Sequence, residues 1–227
     1  MMHQIHYKYT AMESLSKINQ ETRIAYNKAA QKYFDLFKDE LEHKEFDKKY
    51  IDNYLKNFNQ DSLICDAGCG PCGHITKYIS NKGFRIIGID ISESCIEIAK
   101  KQNPDIQFET GDFAKLNFSD NYFDGLISYY SIIDTPKIYL TEILKEFNRV
   151  LKKNGHLLLV VKEGESEGFE NELIGIKTKI YFSLFTMDEI KGYLNNGGFG
   201  DIQIEKREPY KDEIKINRIY SISKKIC

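Results

Sequence analysis

The stretch Cys65-Asp66-Ala67-Gly68-Cys69-Gly70-Pro71-Cys72-Gly73 follows an apolar run that begins at Ser62, and it precedes a segment of helical spacing that stops near Gly83. A strand, then three glycines, then a helix describes a turn whose bare backbone can approach a ligand at a helix N-terminus. Outward from this turn the pattern repeats. Arg85 to Asp90 reads as a second strand, and Ser92 or Ser94 can cap a helix through Ala99, with Glu97 completing a capping box for Ser94. Ile106 to Thr110 and Tyr122 to Tyr129 read as strands three and four. Thr135 and Pro136 read as an N-cap followed by proline at the first helical position, opening a helix that buries Leu140, Ile143, Leu144, Phe147 and Val150 and ends before Gly155. His156 to Val161 reads as a fully buried fifth strand. Such alternation implies βαβ units and a parallel sheet.

Two further regions flank this core. Residues 1–20 are polar and without a clear period, which predicts a loose arm. From Glu21 to Leu41 apolar residues recur at Tyr26, Ala29 or Ala30, Tyr33, Phe37 and Leu41, the period of an amphipathic helix, and a second helix fits Phe46, Tyr50, Tyr54 and Phe58. Downstream, Lys162 to Ser183 reads as a long loop, a length more often functional than structural. Thr186 with Glu189 forms a capping box for a helix that stops at Gly197 and Gly198. The runs around Ile202 and Ile204 and from Lys215 to Ser223 alternate with period two and lack a crossover helix, so they should pair as an antiparallel hairpin.

Composition sets outer bounds. With 227 residues, 41% of them hydrophobic and 29% charged, the chain can bury a full core without disulfides or metals, which excludes a disordered or fibrous protein. A formal net charge of −2 advertises no basic face, so no nucleic-acid partner is expected. The opening MMHQIHYKYT lacks the apolar run of a signal peptide, and the greasiest stretch, Leu157 to Val161, is too short to cross a bilayer. The expectation is a cytoplasmic protein without a membrane partner, whose five cysteines are thiols.

The glycine turn can be parsed in three ways. Gly68-x-Gly70-x-x-Gly73 fits the dinucleotide fingerprint of NAD proteins. Cys65-x3-Cys69-x2-Cys72 has the spacing by which radical enzymes hold a four-iron cluster. Asp66-x-Gly68-x-Gly70 places an acid two residues before the first glycine, where a pyrophosphate would be repelled and a cation would be attracted. The third parse resembles the opening motif of class I methyltransferases dependent on S-adenosylmethionine (SAM), whose ligand offers an ammonium and a sulfonium. Cys65 lies inside the strand, so its side chain should point away from a loop-held cluster. Asp90, ending strand two, can accept both ribose hydroxyls in either nucleotide reading. Gly111-Asp112-Phe113 after strand three, Tyr122-Phe123-Asp124 leading strand four, Leu151-Lys152-Lys153-Asn154-Gly155 before strand five and the closing helix and hairpin extend the resemblance from about Leu63 to Lys224.

That resemblance, to the small-molecule kind with helices before the core, implies an α/β, Rossmann-like three-layer sandwich. Its seven-stranded, mostly parallel sheet would have the order 3-2-1-4-5-7-6, with strand seven antiparallel. Residues 1–60 would form a helical cap or lid and 61–227 the methyltransferase domain. The cofactor would be SAM, with S-adenosylhomocysteine as product. Asp66, Gly68 and Gly70 would hold its amino-acid end, Asp90 and Ile91 the ribose, Asp112 and Phe113 the adenine, and Tyr129 the wall beyond strand four. Tyr26-Asn27-x-x-Ala30-x-x-Tyr33 resembles the Tyr-Asp-x-x-Ala-x-x-Tyr segment that closes over the cofactor, with Asn27 replacing the acid.

Ligands in open α/β sheets lie beyond the carboxyl ends of the strands, so residues after strands four and five should face the methyl group. Related enzymes often carry a histidine where this chain has Ile133 or Asp134, which leaves Tyr130, Asp134 and Glu163 as candidate catalytic groups. His74 has no partner at metal-ligand spacing, and no metal is expected. The implied activity is transfer of a methyl group to an oxygen or nitrogen of a small molecule, by a monomer or homodimer. Competing readings are a non-catalytic SAM-binding or regulatory protein, a methyltransferase acting on protein or RNA, and an NAD-dependent oxidoreductase.

Overall fold

The computed structural model describes residues 13–226. Along the chain run α1 (Leu15–Phe37), α2 (Glu45–Leu55), β1 (Leu63–Ala67), α3 (His74–Asn81), β2 (Arg85–Asp90), α4 (Glu93–Gln102), β3 (Gln107–Thr110) and β4 (Phe123–Tyr129). They continue with α5 (Leu140–Val150), β5 (Leu151–Lys162), β6 (Glu167–Leu173), β7 (Ile176–Ser183), α6 (Met187–Asn196), β8 (Phe199–Arg207) and β9 (Arg218–Lys225). The large sheet has seven strands in the order β3-β2-β1-β4-β5-β9-β8. β1, β2, β3, β4 and β5 pair in parallel, and β9 runs antiparallel to both β5 and β8. This is the topology that the resemblance implies, including the closing antiparallel hairpin.

Side chains alternate across the central strands and thereby build two cores. Cys65, Ala67, Ile87, Ile89, Leu126, Leu157, Leu159 and Val161 face α5 and α6, whose Leu144, Phe147, Ile190 and Leu194 complete the larger cluster. Ile64, Ile86, Ile127, Leu158 and Val160 face the other way, toward Tyr50, Ile51, Tyr54 and Leu55 of α2 and Ile75 and Ile79 of α3. α2 is therefore a structural layer of the core. The Tyr54 hydroxyl donates to the Leu126 carbonyl at 3.1 Å, with the His156 carbonyl at 3.2 Å, which pins that helix onto the sheet.

Four sequence expectations need correction. α1 begins at Leu15, with the Ser14 hydroxyl accepting from the Lys17 amide, so residues 15–20 are helix; the remainder of the expected arm, residues 1–12, lies outside the described residues. Within residues 15–20 only Ile18 is buried, too little to show a period in the sequence. Lys162 to Ser183 is mostly a hairpin, β6 paired with β7. Its turn, Ile174-Gly175, takes positive φ at both residues (46° and 79°), a conformation usually signalled by Asn-Gly and costly for a β-branched residue. The helix after β4 starts at Leu140 behind a short 3₁₀ turn at Lys137–Tyr139, and no side chain caps it. Ser92, not Ser94 with Glu97, caps α4 by accepting from the Cys95 amide at 3.1 Å.

Phe147 is fully buried between α5 and the sheet, edge-on to Phe113 at 5.9 Å between ring centroids. Phe147→Ala is expected to cost about 3–5 kcal/mol in unfolding free energy, measured by urea denaturation, because a cavity remains where the ring was.

Candidate functional site

At the carboxyl ends of β1, β2 and β4 lies an open cavity of about 900 Å³, lined along one side by Asn19, Thr22, Tyr26 and Tyr33 of α1. Its floor is the turn after β1. The amides of Gly68 and Cys69 both donate to the Ile89 carbonyl (2.7 and 3.0 Å), holding the turn against the end of β2. Gly68 has φ +89°, and a Cβ there would stand 2.2 Å from Ser131 Cβ, so only glycine allows β1 to meet the chain after β4. Gly70, also with positive φ, has nothing within 4 Å of where a Cβ would sit. Its backbone faces open space, the condition for close approach of a ligand.

Carboxylates surround this floor. Asp66 is 1% exposed; its Oδ2 accepts from the Thr76 hydroxyl at 2.6 Å, while Oδ1 is buried without a partner. Burial pushes its pKa up to about 7. Asp90 accepts from the Gly70 amide through Oδ2 and from the Ser92 amide through Oδ1, both at 2.9 Å, and burial pushes it up to about 6. Asp112 accepts from Asn19 Nδ2 at 2.7 Å and from the Ala114 amide at 2.8 Å. Asp134 accepts from the Tyr26 hydroxyl at 2.7 Å, and burial pushes it up to about 7.

The cavity brings together Tyr26, Tyr33, Asp66, Gly68, Gly70, Asp90, Ile91, Asp112, Phe113 and Tyr129, the residues singled out for cofactor binding, together with Tyr130 and Asp134. It does not include Glu163, whose carboxylate is held elsewhere by Asn217 Nδ2 (2.6 Å) and Lys206 Nζ (3.0 Å). Side-chain alternation along β5 explains this: Glu163 follows Leu159 and Val161 toward the α5–α6 side. Tyr130 contributes its ring, not its hydroxyl, which is spent on Tyr220 at 3.3 Å. The Tyr220 hydroxyl already donates to Asp47 at 2.7 Å, so Tyr130 is the donor in that pair. Of the three candidate catalytic groups, Tyr130 and Asp134 line the cavity and Glu163 lies outside it. Arg207 and Tyr210 also turn away from the cavity rim, with Arg207 buried against Glu213 (2.9 Å) and Tyr210.

Sequence reasoning passed over several lining residues. Asn19 and Thr22 share a helical face with Tyr26 and Tyr33, a signal readable once α1 starts at Leu15. Glu40, from the short helical turn before α2, had no pattern to announce it. Neither did Asp47, fully buried on α2, which accepts from the Tyr129 and Tyr220 hydroxyls and lies 3.4 Å from Arg207 Nε. Asp47 fixes the wall formed by Tyr129. The cysteines join different clusters, Cys65 with Ala67 and Ile87, and Cys69 with Ile96, Ala99 and Phe108, so the iron-sulfur spacing does not become a convergent ligand set. Among the described residues no group of three or more histidines, cysteines or acids is arranged to hold a metal, and no helix is long and apolar enough to cross a membrane.

Comparison with known proteins matches a domain and a fold. Residues 65–159 match the family described as "Methyltransferase domain". The chain is 33% identical over 108 residues to a demethylmenaquinone methyltransferase of Staphylococcus saprophyticus, covering 45% of each protein. The seven-stranded sheet superposes on a SAM-dependent methyltransferase of Methanosarcina mazei with a TM-score of 0.67 at 22% identity, over 78% of this chain and 96% of the other. The fold is that of SAM-dependent methyltransferases of known structure, and residues 65–159 match the methyltransferase domain. A methyltransferase of Burkholderia thailandensis, solved with 1,6-didemethyltoxoflavin and S-adenosylhomocysteine bound, shares the fold over 95% of this chain and 92% of its own, with a TM-score of 0.72 and 13% identity. The chain spans about half the length of the curated relatives it matches.

The cavity offers a ligand an Asp66 oxygen without a partner and, at Gly70, backbone with open space beside it. The raised Asp66 pKa has a thermodynamic consequence. A carboxyl whose native pKa lies near 7, against about 3.9 unfolded, binds its proton more tightly when folded. Its contribution to stability therefore falls as pH rises from about 4 to 7, and at pH 8 the destabilisation is fully present. Asp66→Asn should raise the melting temperature of the ligand-free protein by several degrees at pH 8 and by clearly less at pH 6, read by calorimetry. Equal gains at both pH values would exclude ionisation as the cause.

Proposed function

We propose that this protein transfers the methyl group of SAM to an oxygen or nitrogen atom of a small-molecule acceptor. One observation carries the reading: Asp66, Asp90 and Asp112, at the ends of three neighbouring parallel strands, line one continuous cavity.

In this reading the Asp66 carboxylate pairs with the ammonium of the amino-acid end, and Gly68 and Gly70 give that end room. Asp90 accepts from the ribose hydroxyls. Asp112 accepts from the adenine amino group, while Phe113 and Ile91 cover the ring. SAM, when bound, supplies an electrophilic methyl carbon with a good leaving group. The chain's own task is to align an acceptor and exclude water. α1 does both, because Tyr26 and Tyr33 project into the cavity and the helix is tied down by Asn19 to Asp112 (2.7 Å) and by Asn27, which accepts from the Ser92 hydroxyl (2.6 Å). We assign α1 the role of cap. The near-neutral charge of the chain supports a small acceptor over a nucleic acid.

Asp90→Ala is expected to weaken S-adenosylhomocysteine binding about 10- to 100-fold by titration calorimetry, the loss of charge-assisted hydrogen bonds worth ~1.5–3 kcal/mol. Wild-type protein that ignores both SAM and S-adenosylhomocysteine at millimolar concentration would overturn the reading. Sustained release of S-adenosylhomocysteine with an acceptor panel separates an enzyme from a binding module.

A further inference from the structure

Charge in the cavity is one-sided. Five carboxyl groups, those of Glu40, Asp66, Asp90, Asp112 and Asp134, line it, and no lysine or arginine does. Three of the acids lie at the cofactor end. Glu40 is matched by Lys44 at 2.6 Å. Asp134 is left, with one oxygen accepting from Tyr26 and the other making no hydrogen bond within the described residues.

Neighbouring cations lie outside the cavity lining. Lys44 is shared between Glu40 and Glu213, each at 2.6 Å, and lies behind the Tyr130 ring. Arg218 and Arg207 are drawn to Glu213 at 3.5 and 2.9 Å. Lys162 is not among the lining residues; its charge favours the Asp134 carboxylate from outside the lining, against the larger opposing effect of burial. His74 lines the cavity with a buried, unpartnered Nδ1, and burial likewise disfavours its imidazolium. An acceptor bearing a carboxylate or phosphate would thus meet lining acids and no lysine or arginine among the lining residues. Around Asp134 stand aromatic rings: Tyr26 and Tyr33 with centroids 6.0 Å apart and tilted by 55°, and Tyr130 on the same cavity wall. Ring faces attract cations, by ~0.5–2 kcal/mol each.

We propose that the acceptor is a small amine, held as its ammonium ion by Asp134 and the rings of Tyr26 and Tyr33, and deprotonated onto Asp134 before transfer. This rests on the methyltransferase reading above. The proton passes from nitrogen to the Asp134 carboxylate. The freed nitrogen lone pair forms the bond to the methyl carbon as the carbon–sulfur bond breaks, and its electron pair stays on sulfur. Asp134 then returns the proton to solvent as the methylated amine leaves.

The test uses the full chain saturated with S-adenosylhomocysteine and matched probes on two scaffolds: hexylamine, hexanol and hexanoate, and phenethylamine, phenylethanol and phenylacetate. Binding is read by ligand-observed NMR and calorimetry, independently of turnover. At least one amine should bind tenfold or more tightly than its alcohol, and neither carboxylate should bind. Asp134→Asn should abolish the preference for the amine while S-adenosylhomocysteine affinity stays within a few-fold. An alcohol or carboxylate binding as tightly as its amine, or a preference that survives Asp134→Asn, overturns the proposal even though S-adenosylhomocysteine binds. Failure of S-adenosylhomocysteine itself to bind instead defeats the underlying methyltransferase reading.

Discussion

The Asp90 carboxylate ties the site together. By accepting from the amides of Gly70 and Ser92 it joins the glycine turn after β1 to the start of α4, two segments that are neighbours only because β1 and β2 pair in parallel. Around that junction the backbone has little freedom. Gly68 must pass Ser131, and Ser131 in turn donates its hydroxyl to the Ala67 carbonyl at 2.6 Å, so β1, β2 and β4 converge on one point. Open α/β sheets offer their ligand crevice at such a place, where connections leave for opposite faces.

Burying several acids at this junction is unfavourable for the empty protein. Asp66, Asp90 and Asp134 are all pushed upward by desolvation, and the Asp66 oxygen without a partner is a polar group removed from water for nothing in the fold itself. Stored cost of this kind is characteristic of functional sites, where the ligand supplies the missing partner. The neighbouring Asp47 cluster behaves differently. There the charges are matched within the protein by Arg207, Lys44 and Glu213, and Glu213 is held down at about 2 by Arg207 and Lys44 against the opposing effect of burial. One group of buried acids is prepared for a ligand, and the other braces the wall on which Tyr129 and Tyr130 stand.

α1 links the two tasks of covering and recognising. Its inner face carries Asn19, Thr22, Tyr26 and Tyr33, and its N-terminal part is held by Lys179 of the β6–β7 hairpin, which pairs with Glu13 and Glu21, both at 2.9 Å. Exposed ion pairs of this kind are worth only ~0–1 kcal/mol each. The apolar cores on the two faces of the sheet are closed by α2, α3, α5 and α6.

The amino-acid sequence by itself determined the parallel sheet, its closing hairpin and the glycines and strand-end acids that line the cavity, because those depend on local signals: period-two and period-3.6 spacing, glycines at a strand-to-helix turn, and acids at the ends of strands. Only the tertiary structure decided which groups beyond strands four and five reach the cavity. Asp134 enters and Glu163 does not, since one lies in a short turn beneath Tyr26 and the other follows the outward alternation of β5. Asp47, Glu40 and the tyrosine hydroxyls were likewise illegible, for their partners come from positions up to 173 residues away in the chain. A buried charge declares its role only through what folding sets beside it.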